Sequence, residues 1–483
     1  MASQLLATKS IDELHEEEAS GNQLRRALTA TQLTLLGIGG IIGTGIFVLT
    51  GVAAANYAGP ALALSFIIAG VGCTFAGLCY AEFAAMIPVS GSAYSYSYAT
   101  LGEGIAWFIG WNLVLEYLFA VATVSVGWSG YAVSLLDQLH IHIPAALSHA
   151  PFDQDASHHM MRTGAIINLP AMMIVAAIAT ICYIGIKQSA AFNSVIVTIK
   201  VTVIVLFVLF GVSYINTANW HPFVPPNTGQ FGSFGWTGVL AASGVIFFAY
   251  IGFDAISTAA QEAKNPQRDM PIGILASLVI CTVLYVIVAV VLTGMVSYKQ
   301  LNVAAPVALA LDQYQGLHWL GIPVKLGAVA GMTSVMLVMT IAQARIFFAM
   351  ARDGLMPPVF GRVHPKFRTP STGTVVTGVF AAIIGGLFPV NLLGHLVSIG
   401  TLAAFVTVCI GVLVLRRTRP DLPRPFRAPM PWLTCTLGAL VCGAMMVSLG
   451  TETWARLVIW TAVGVLIYAV YGYRHSRLHV KRP

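Results

Sequence analysis

Charge is what this sequence has least of. Asp, Glu, Lys and Arg make up 9% of its 483 residues and hydrophobic residues 57%, against about 25% charged in an ordinary soluble domain. Such a chain cannot cover a water-facing surface, so lipid is its expected solvent. The seven cysteines (Cys73, Cys79, Cys182, Cys281, Cys409, Cys435, Cys442) show no CxxC or paired spacing and all fall in apolar stretches. That excludes a disulfide framework and leaves reduced thiols that pack. The N-terminal residues carry the acidic run DELHEEE, Asp12 to Glu18, and have neither the apolar core nor the cleavage site of a signal peptide. No GxSxG, no HExxH and no aspartate pair within helical reach occurs in the apolar stretches, so an enzyme is not expected. A channel is not expected either, because no filter sequence repeats.

What is present is a series of twelve apolar stretches, each near the roughly 20 residues that a bilayer core requires. They run over 32–57, 61–87, 105–134, 165–186, 191–215, 237–262, 272–296, 318–350, 372–389, 392–415, 431–450 and 454–473. If both termini lie in the cytoplasm, only Arg162, Lys299, Lys325 and Arg456 fall on the opposite side and Lys200 inside a span; the other twenty of the twenty-five Lys and Arg residues are cytoplasmic. This positive-inside bias sets the expected orientation. The net charge of +7 therefore reports topology, and no nucleic-acid partner is expected. Two outward segments are long, 135–164 and 216–236. The first carries His140, His142, His149, His158 and His159, whose spacing repeats no ligand pattern, so a polar loop is expected there and no metal site.

The sharper signal is a pair of interruptions. The first span holds GIGGIIGTG, with Gly37, Gly39, Gly40, Gly43 and Gly45 inside an apolar run, and the sixth holds FFAYIGFDA. Glycine weakens a helix, and in hydrocarbon an unwound segment survives only where protein or a water-filled cavity satisfies its backbone. A phosphate loop is excluded because Ile42 stands where GxGxxG needs glycine and no Lys-Ser/Thr follows. A packing motif, Gly39-x-x-x-Gly43, is the simpler alternative for the first span taken alone. Spans 1 and 6 are, however, the first members of two five-span units, 1–5 and 6–10, that would insert upside-down relative to one another. At two facing breaks, free N–H groups of one half-helix and free carbonyls of another would match the carboxylate and ammonium of an α-amino acid. Thr44 is placed to cap the half-helix after the first break and Asp254 the one after the second, with Phe248, Ala249, Tyr250 and Ile251 unwound between.

GIGGIIGTGIFVLTG, AEFAAMIPVSGSAYSYSYATLGE (81–103), FFAYIGFDAIST (247–258), EAKNPQRDMPIGI (262–274) and ARDGLMPP (351–358) together resemble the amino acid–polyamine–organocation superfamily. Within it the chain looks most like bacterial members of the cationic amino acid transporter family, over nearly its whole length. The resemblance implies an all-α polytopic membrane protein of the LeuT-like type: twelve transmembrane helices, with helices 1 and 6 broken. The implied units are a cytoplasmic segment 1–30, a first repeat 31–216, a second, inverted repeat 217–415, accessory helices 416–474 and a tail 475–483. The implied substrate-binding residues are Ile41, Gly43, Thr44, Gly45, Phe248, Ala249, Ile251 and Met339.

A charge inside the membrane costs at least ~2.5 kcal/mol, so each needs a reason. Lys200, in VIVTIKVTVIV, falls where proton-coupled members of the family carry a lysine at the ion position of sodium-coupled relatives. It is expected to be the protonation switch; a structural salt bridge is the alternative. Asp254 and Glu116 are expected to join the coupling network, Glu116 otherwise being satisfied by backbone or Tyr117. Glu82 is expected to snorkel or anchor a loop, and His395 to pack. Val114, Phe248 and Met339 are expected to face the substrate side chain. The function expected is proton-coupled symport of L-amino acids by alternating access in the cell membrane, small neutral ones such as alanine ahead of arginine or lysine. The alternatives are cationic amino acid uptake, exchange, or sensing on a transporter fold. No cofactor is expected; protons are the coupling ion ahead of sodium. The partners are substrate and bilayer, an accessory subunit being left open.

Overall fold

The computed structural model describes residues 5–10, 28–87, 91–154, 160–185 and 190–480. The acidic run Asp12 to Glu18, the Pro88–Ser90 portion of the second motif, His158 and His159 lie outside the described residues, as do Arg25, Arg26, Lys187, Lys481 and Arg482.

The apolar stretches form helices. In chain order they are α1 (Ala30–Ile41), α2 (Leu62–Met86), α3 (Ser92–Thr100), α4 (Glu103–Gln138), α5 (Leu169–Ile184), α6 (Ala190–Gly211), α7 (Gly235–Ile246), α8 (Phe253–Ser257), α9 (Pro266–Met295), α10 (Pro306–Asp312), α11 (His318–Arg352), α12 (Ser371–Leu387), α13 (Val390–Thr418), α14 (Pro431–Ser448) and α15 (Thr451–Ile467). Among the described residues nine helical stretches are long and apolar enough to cross a membrane, and α1, α5 and α12 are shorter apolar helices. Their starts follow from sequence: Thr29 and Gln32 make a reciprocal capping box at α1, and proline occupies the first turn of α9, α10 and α14, where its missing N–H costs nothing. The long histidine-bearing loop contains a small hairpin, β1 (Phe152–Gln154) against β2 (Met160–Arg162). Among the described residues no three His, Cys, Asp or Glu side chains gather to hold a metal.

The stretch 32–57 is not one helix. It divides into α1 and an upper half made of π-helical Gly45–Leu49, an α-turn Thr50–Ala53 and π-helical Ala54–Ala58. In the bundle α2 runs along α9, α4 lies between α11 and α13, and α1 packs on α9 and α6. Helix α15 is clasped to α4 by two tryptophans: Trp111 Nε1 donates to Trp460 O (2.7 Å), Trp460 Nε1 to Trp111 O (3.0 Å), and the rings stack at 4.6 Å.

The two faces differ. On the face of the termini, Lys9 Nζ pairs with Asp353 Oδ1 at 2.8 Å, both side chains buried, and Tyr94 donates to the other Asp353 oxygen at 2.7 Å. Arg477 N–H bonds Asp353 O (3.1 Å), and Leu28 N–H bonds Glu262 O (2.9 Å). Toward the opposite face a cavity of about 1270 Å³ opens between the second half of α4 and the loops, lined among others by Val52, Asn56, Tyr57, Asn302 and Asn391.

A paired helix break held by lysine and tyrosine

The lower half of the first span ends because Ile42 leaves helical geometry (φ −74°, ψ 103°) after a last bond from its N–H to Ile38 O. The upper half takes its first bond from Phe47 N–H to Gly43 O (3.3 Å). The N–H groups between, on Gly43, Thr44, Gly45 and Ile46, lie at the start of the upper half-helix, where they lack an intrahelical acceptor. Thr44 does not cap them: its hydroxyl turns to Val124 O on α4 at 3.5 Å, and no side-chain cap forms.

The second break is tighter than an unwound loop. Phe247–Tyr250 close a 3₁₀ turn, Ile251 is extended, and Gly252 takes φ +119° before α8 begins. Few residues other than glycine adopt that dihedral. The residue at the cap position is therefore Gly252, and Asp254 is the second residue of α8. Its carboxylate still reaches back, accepting Gly252 N–H (3.3 Å) and the Tyr117 hydroxyl.

The two breaks touch. A methyl group built on Gly45 would overlap the Cα and Cβ of Ala249, and one on Gly252 would lie 2.6 Å from Gly40 O. Glycine is thus required at Gly45 for close approach and at Gly252 for both approach and dihedral. The freed carbonyls of α1 are answered from two sides. Lys200 Nζ on α6 donates to Gly39 O (2.5 Å) and Ile42 O (2.9 Å) and reaches Ser334 Oγ (3.4 Å). The Tyr285 hydroxyl on α9 lies within hydrogen-bond distance of both Ile41 O (3.0 Å) and Ala249 O (2.9 Å), bridging the breaks. Among the described residues no carboxylate pairs with Lys200, so the alternative of a structural salt bridge is not what is found.

Of the residues read from the sequence, Ile41, Gly43, Thr44, Gly45, Phe248, Ala249 and Ile251 fall on the two breaks. Val335 on α11 stands opposite Gly43, 3.0 Å from where a methyl group would be, and Met339, one turn further, shares its face. The α4 residues level with the first break are Val124 and Gly127, and Val114 lies ten residues before Val124, three before the Tyr117 that reaches Asp254 beside the second break. Glu116 and Asp254 are both fully buried. Tyr117 serves Asp254, while the Glu116 carboxylate makes no hydrogen bond and nearby Thr401 donates to Val397 O instead. Glu82 anchors rather than snorkels: it is buried and holds Arg416 and the Ala428 N–H. His395 meets the Tyr57 hydroxyl at 3.4 Å, consistent with packing.

Tyr285, Ser334 and the Lys9–Asp353 pair escaped the sequence reading. Tyr285 did leave a signal, the single tyrosine within the apolar run of α9. Tyr285→Phe should remove the bridge and leave the two buried carbonyls without the one donor they share. The expected loss of stability is roughly 1–3 kcal/mol, read as a lower thermal midpoint in detergent; an unchanged midpoint would show that the breaks hold without it.

An amino acid permease family model matches residues 28–470. The chain is 47% identical over 477 residues to the methylthioribose transporter of Bacillus subtilis (strain 168), covering 99% of this chain and 100% of that one. It is 46% identical over 480 residues to the branched-chain amino acid permease BcaP of the same organism, with the same coverage. It is also 37% identical to the vacuolar cationic amino acid transporter 4 of Arabidopsis thaliana, over 86% of this chain and 68% of that one. With the broken, glycine-lined helices in place, the match over almost the whole chain settles the family: this protein belongs to the amino acid permease family of membrane transporters.

Proposed function

We propose that this protein is a proton-coupled symporter of small neutral L-amino acids, alanine first, working by alternating access across the cell membrane with both termini cytoplasmic. The observation that carries it is the position of Lys200: its ammonium is bonded to the carbonyls of the broken helix itself. With the proton, two charge-assisted bonds hold the end of α1, each stronger than a neutral one. Without it the amine keeps only two uncharged N–H donors for three acceptors, the bonds lose their charge assistance, and the hold on α1 loosens. A proton taken up on one side is thereby linked to the position of the half-helix that closes the other.

In this reading the chain is two inverted repeats, 31–216 and 217–415, with accessory helices 416–474, and twelve transmembrane helices in all. The substrate carboxylate is held by the N–H groups of Gly43, Thr44 and Gly45, and its ammonium by carbonyls beside Ile41, Phe248, Ala249 and Ile251. Met339 borders the side chain. The close contact of Gly45 with Ala249 favours a small substrate, and the cavity toward the outer face is its entrance. Asp254 and Glu116 complete the coupling network. A cationic substrate is the second reading, favoured by the buried Glu116 carboxylate that makes no hydrogen bond.

The test uses reconstituted protein. A pH gradient, acidic outside, should drive alanine above its external concentration, and a sodium gradient should not. A thermal-shift screen with alanine, a branched-chain amino acid, arginine and methylthioribose should stabilise most with alanine, since a ligand of the folded state raises its midpoint. Stabilisation by arginine or methylthioribose alone would overturn the substrate; accumulation driven only by sodium would overturn the coupling.

A further inference from the structure

The end of α13 and the loop to α14 carry five arginines: Arg416 and Arg417 in the last turn of α13, and Arg419, Arg424 and Arg427 after it. Two are consumed by the fold. Arg416 grips the buried Glu82 carboxylate at the end of α2 with two hydrogen bonds, and Arg424, its Nε 3.5 Å from Glu82 Oε1, spends its remaining N–H groups on the loop carbonyls of Leu415, Arg419, Pro420 and Leu422. Arg419 faces Asp421 at 3.4 Å. Arg417 and Arg427 are exposed and have no carboxylate partner among the described residues. Arg417 lies instead over the Trp432 ring, 4.4 Å from its centroid.

The charge sits beside exposed apolar side chains. Met430, Trp432 and Leu433 are 68%, 56% and 49% accessible, at the very start of α14, a helix apolar enough to cross the membrane. Topology alone would be satisfied by arginines anywhere in the loop. It does not account for the Arg417 guanidinium placed over an uncovered indole next to an exposed leucine, a combination unfavourable in water and favourable where headgroup phosphates meet acyl chains. Counting Glu82 and Asp421 against the five arginines leaves an excess of three positive charges, so an anionic lipid fits better than a zwitterionic one.

We propose that the α13–α14 loop is a binding site for an anionic phospholipid of the phosphatidylglycerol type, its phosphate held by Arg417 and Arg427 and its acyl chains lying along Trp432 and Leu433. Because the same loop clamps Glu82 on α2, a bound lipid fixes the accessory helix α14 to the core at the face of the termini.

The test compares the thermal midpoint of the purified protein with added phosphatidylglycerol, phosphatidylcholine or inorganic phosphate, and counts retained lipids by native mass spectrometry. Phosphatidylglycerol alone should stabilise the wild type. Arg417→Gln/Arg427→Gln should abolish that shift and weaken lipid retention roughly 10- to 30-fold, from about 1 kcal/mol per basic residue near the headgroups. Arg362→Gln/Arg474→Gln, which removes two exposed arginines elsewhere on the same face, should leave both unchanged. Equal stabilisation by phosphatidylcholine, stabilisation by phosphate alone, an unaltered shift in the first variant, or an equal loss in the second would each overturn the site.

Discussion

Lys200→Met is expected to abolish accumulation of alanine driven by a pH gradient, so that internal and external concentrations become equal. Methionine keeps the unbranched apolar stem, one atom shorter, while removing the ammonium. The variant also strips Gly39 O and Ile42 O of their donor, which alone costs roughly 1–3 kcal/mol per unsatisfied group. A second substitution therefore separates coupling from folding. Lys200→Gln retains an N–H donor but has no proton to release under physiological conditions; it should recover part of the stability lost in the methionine variant and none of the gradient-driven uptake. Concentrative uptake in either variant would sink the proton role, whereas loss of folding in the methionine variant alone would leave the glutamine variant to decide. Because Lys200 is bonded to carbonyls and a hydroxyl, with no carboxylate, loss of its charge has no counter-charge to strand, and the effect should fall on the end of α1.

The second large effect is expected at Gly45. Gly45→Ala places a methyl group on the backbone of Ala249, where neither partner is a flexible chain end. The two breaks must separate, at a cost of about 1–3 kcal/mol or more for overpacking a close contact. The N–H groups of the first break then move away from the carbonyls of the second. Stabilisation by alanine in a thermal-shift assay should disappear. Gly43 offers the graded comparison, because a methyl group there lies 3.0 Å from Val335 Cγ2, a side chain that can turn. Gly43→Ala should be mild, and Gly43→Val should block binding by crowding the N–H donors. Full alanine binding by Gly45→Ala would mean that the contact of the breaks is not the substrate site, and unchanged binding by Gly43→Val would return the first break to helix packing.

Much of the helical layout was legible because bilayer-length apolar runs are the strongest signal a sequence carries. The stretches 61–87, 318–350 and 431–450 correspond to Leu62–Met86, His318–Arg352 and Pro431–Ser448. The interruption in GIGGIIGTG was legible for a related reason: glycine in hydrocarbon needs an explanation. What failed was finer. Thr44 and Asp254 are good cap residues, yet a cap depends on where the chain leaves helical dihedrals, and the positive φ of Gly252 moved the second break's cap back by two residues. The depth of Val114 was equally illegible, because α4 is 36 residues long and a sequence does not say which part of such a helix crosses another.

The sequence by itself determined that this chain lives in a bilayer, that its basic residues gather toward one face, and that two helices are interrupted at glycine-bearing segments. Those are local properties: hydropathy, charge and the conformational freedom of single residues. Only the tertiary structure decided that the interruptions meet at Gly45 and Ala249, that Tyr285 bridges them, and that Lys200 spends its ammonium on the carbonyls of α1. Apart from the bond of Tyr285 to Ala249, those contacts join residues more than 150 positions apart, in helices whose order along the chain says nothing of their neighbours. A buried donor takes the acceptor that packing presents to it, and packing is a property of the whole bundle.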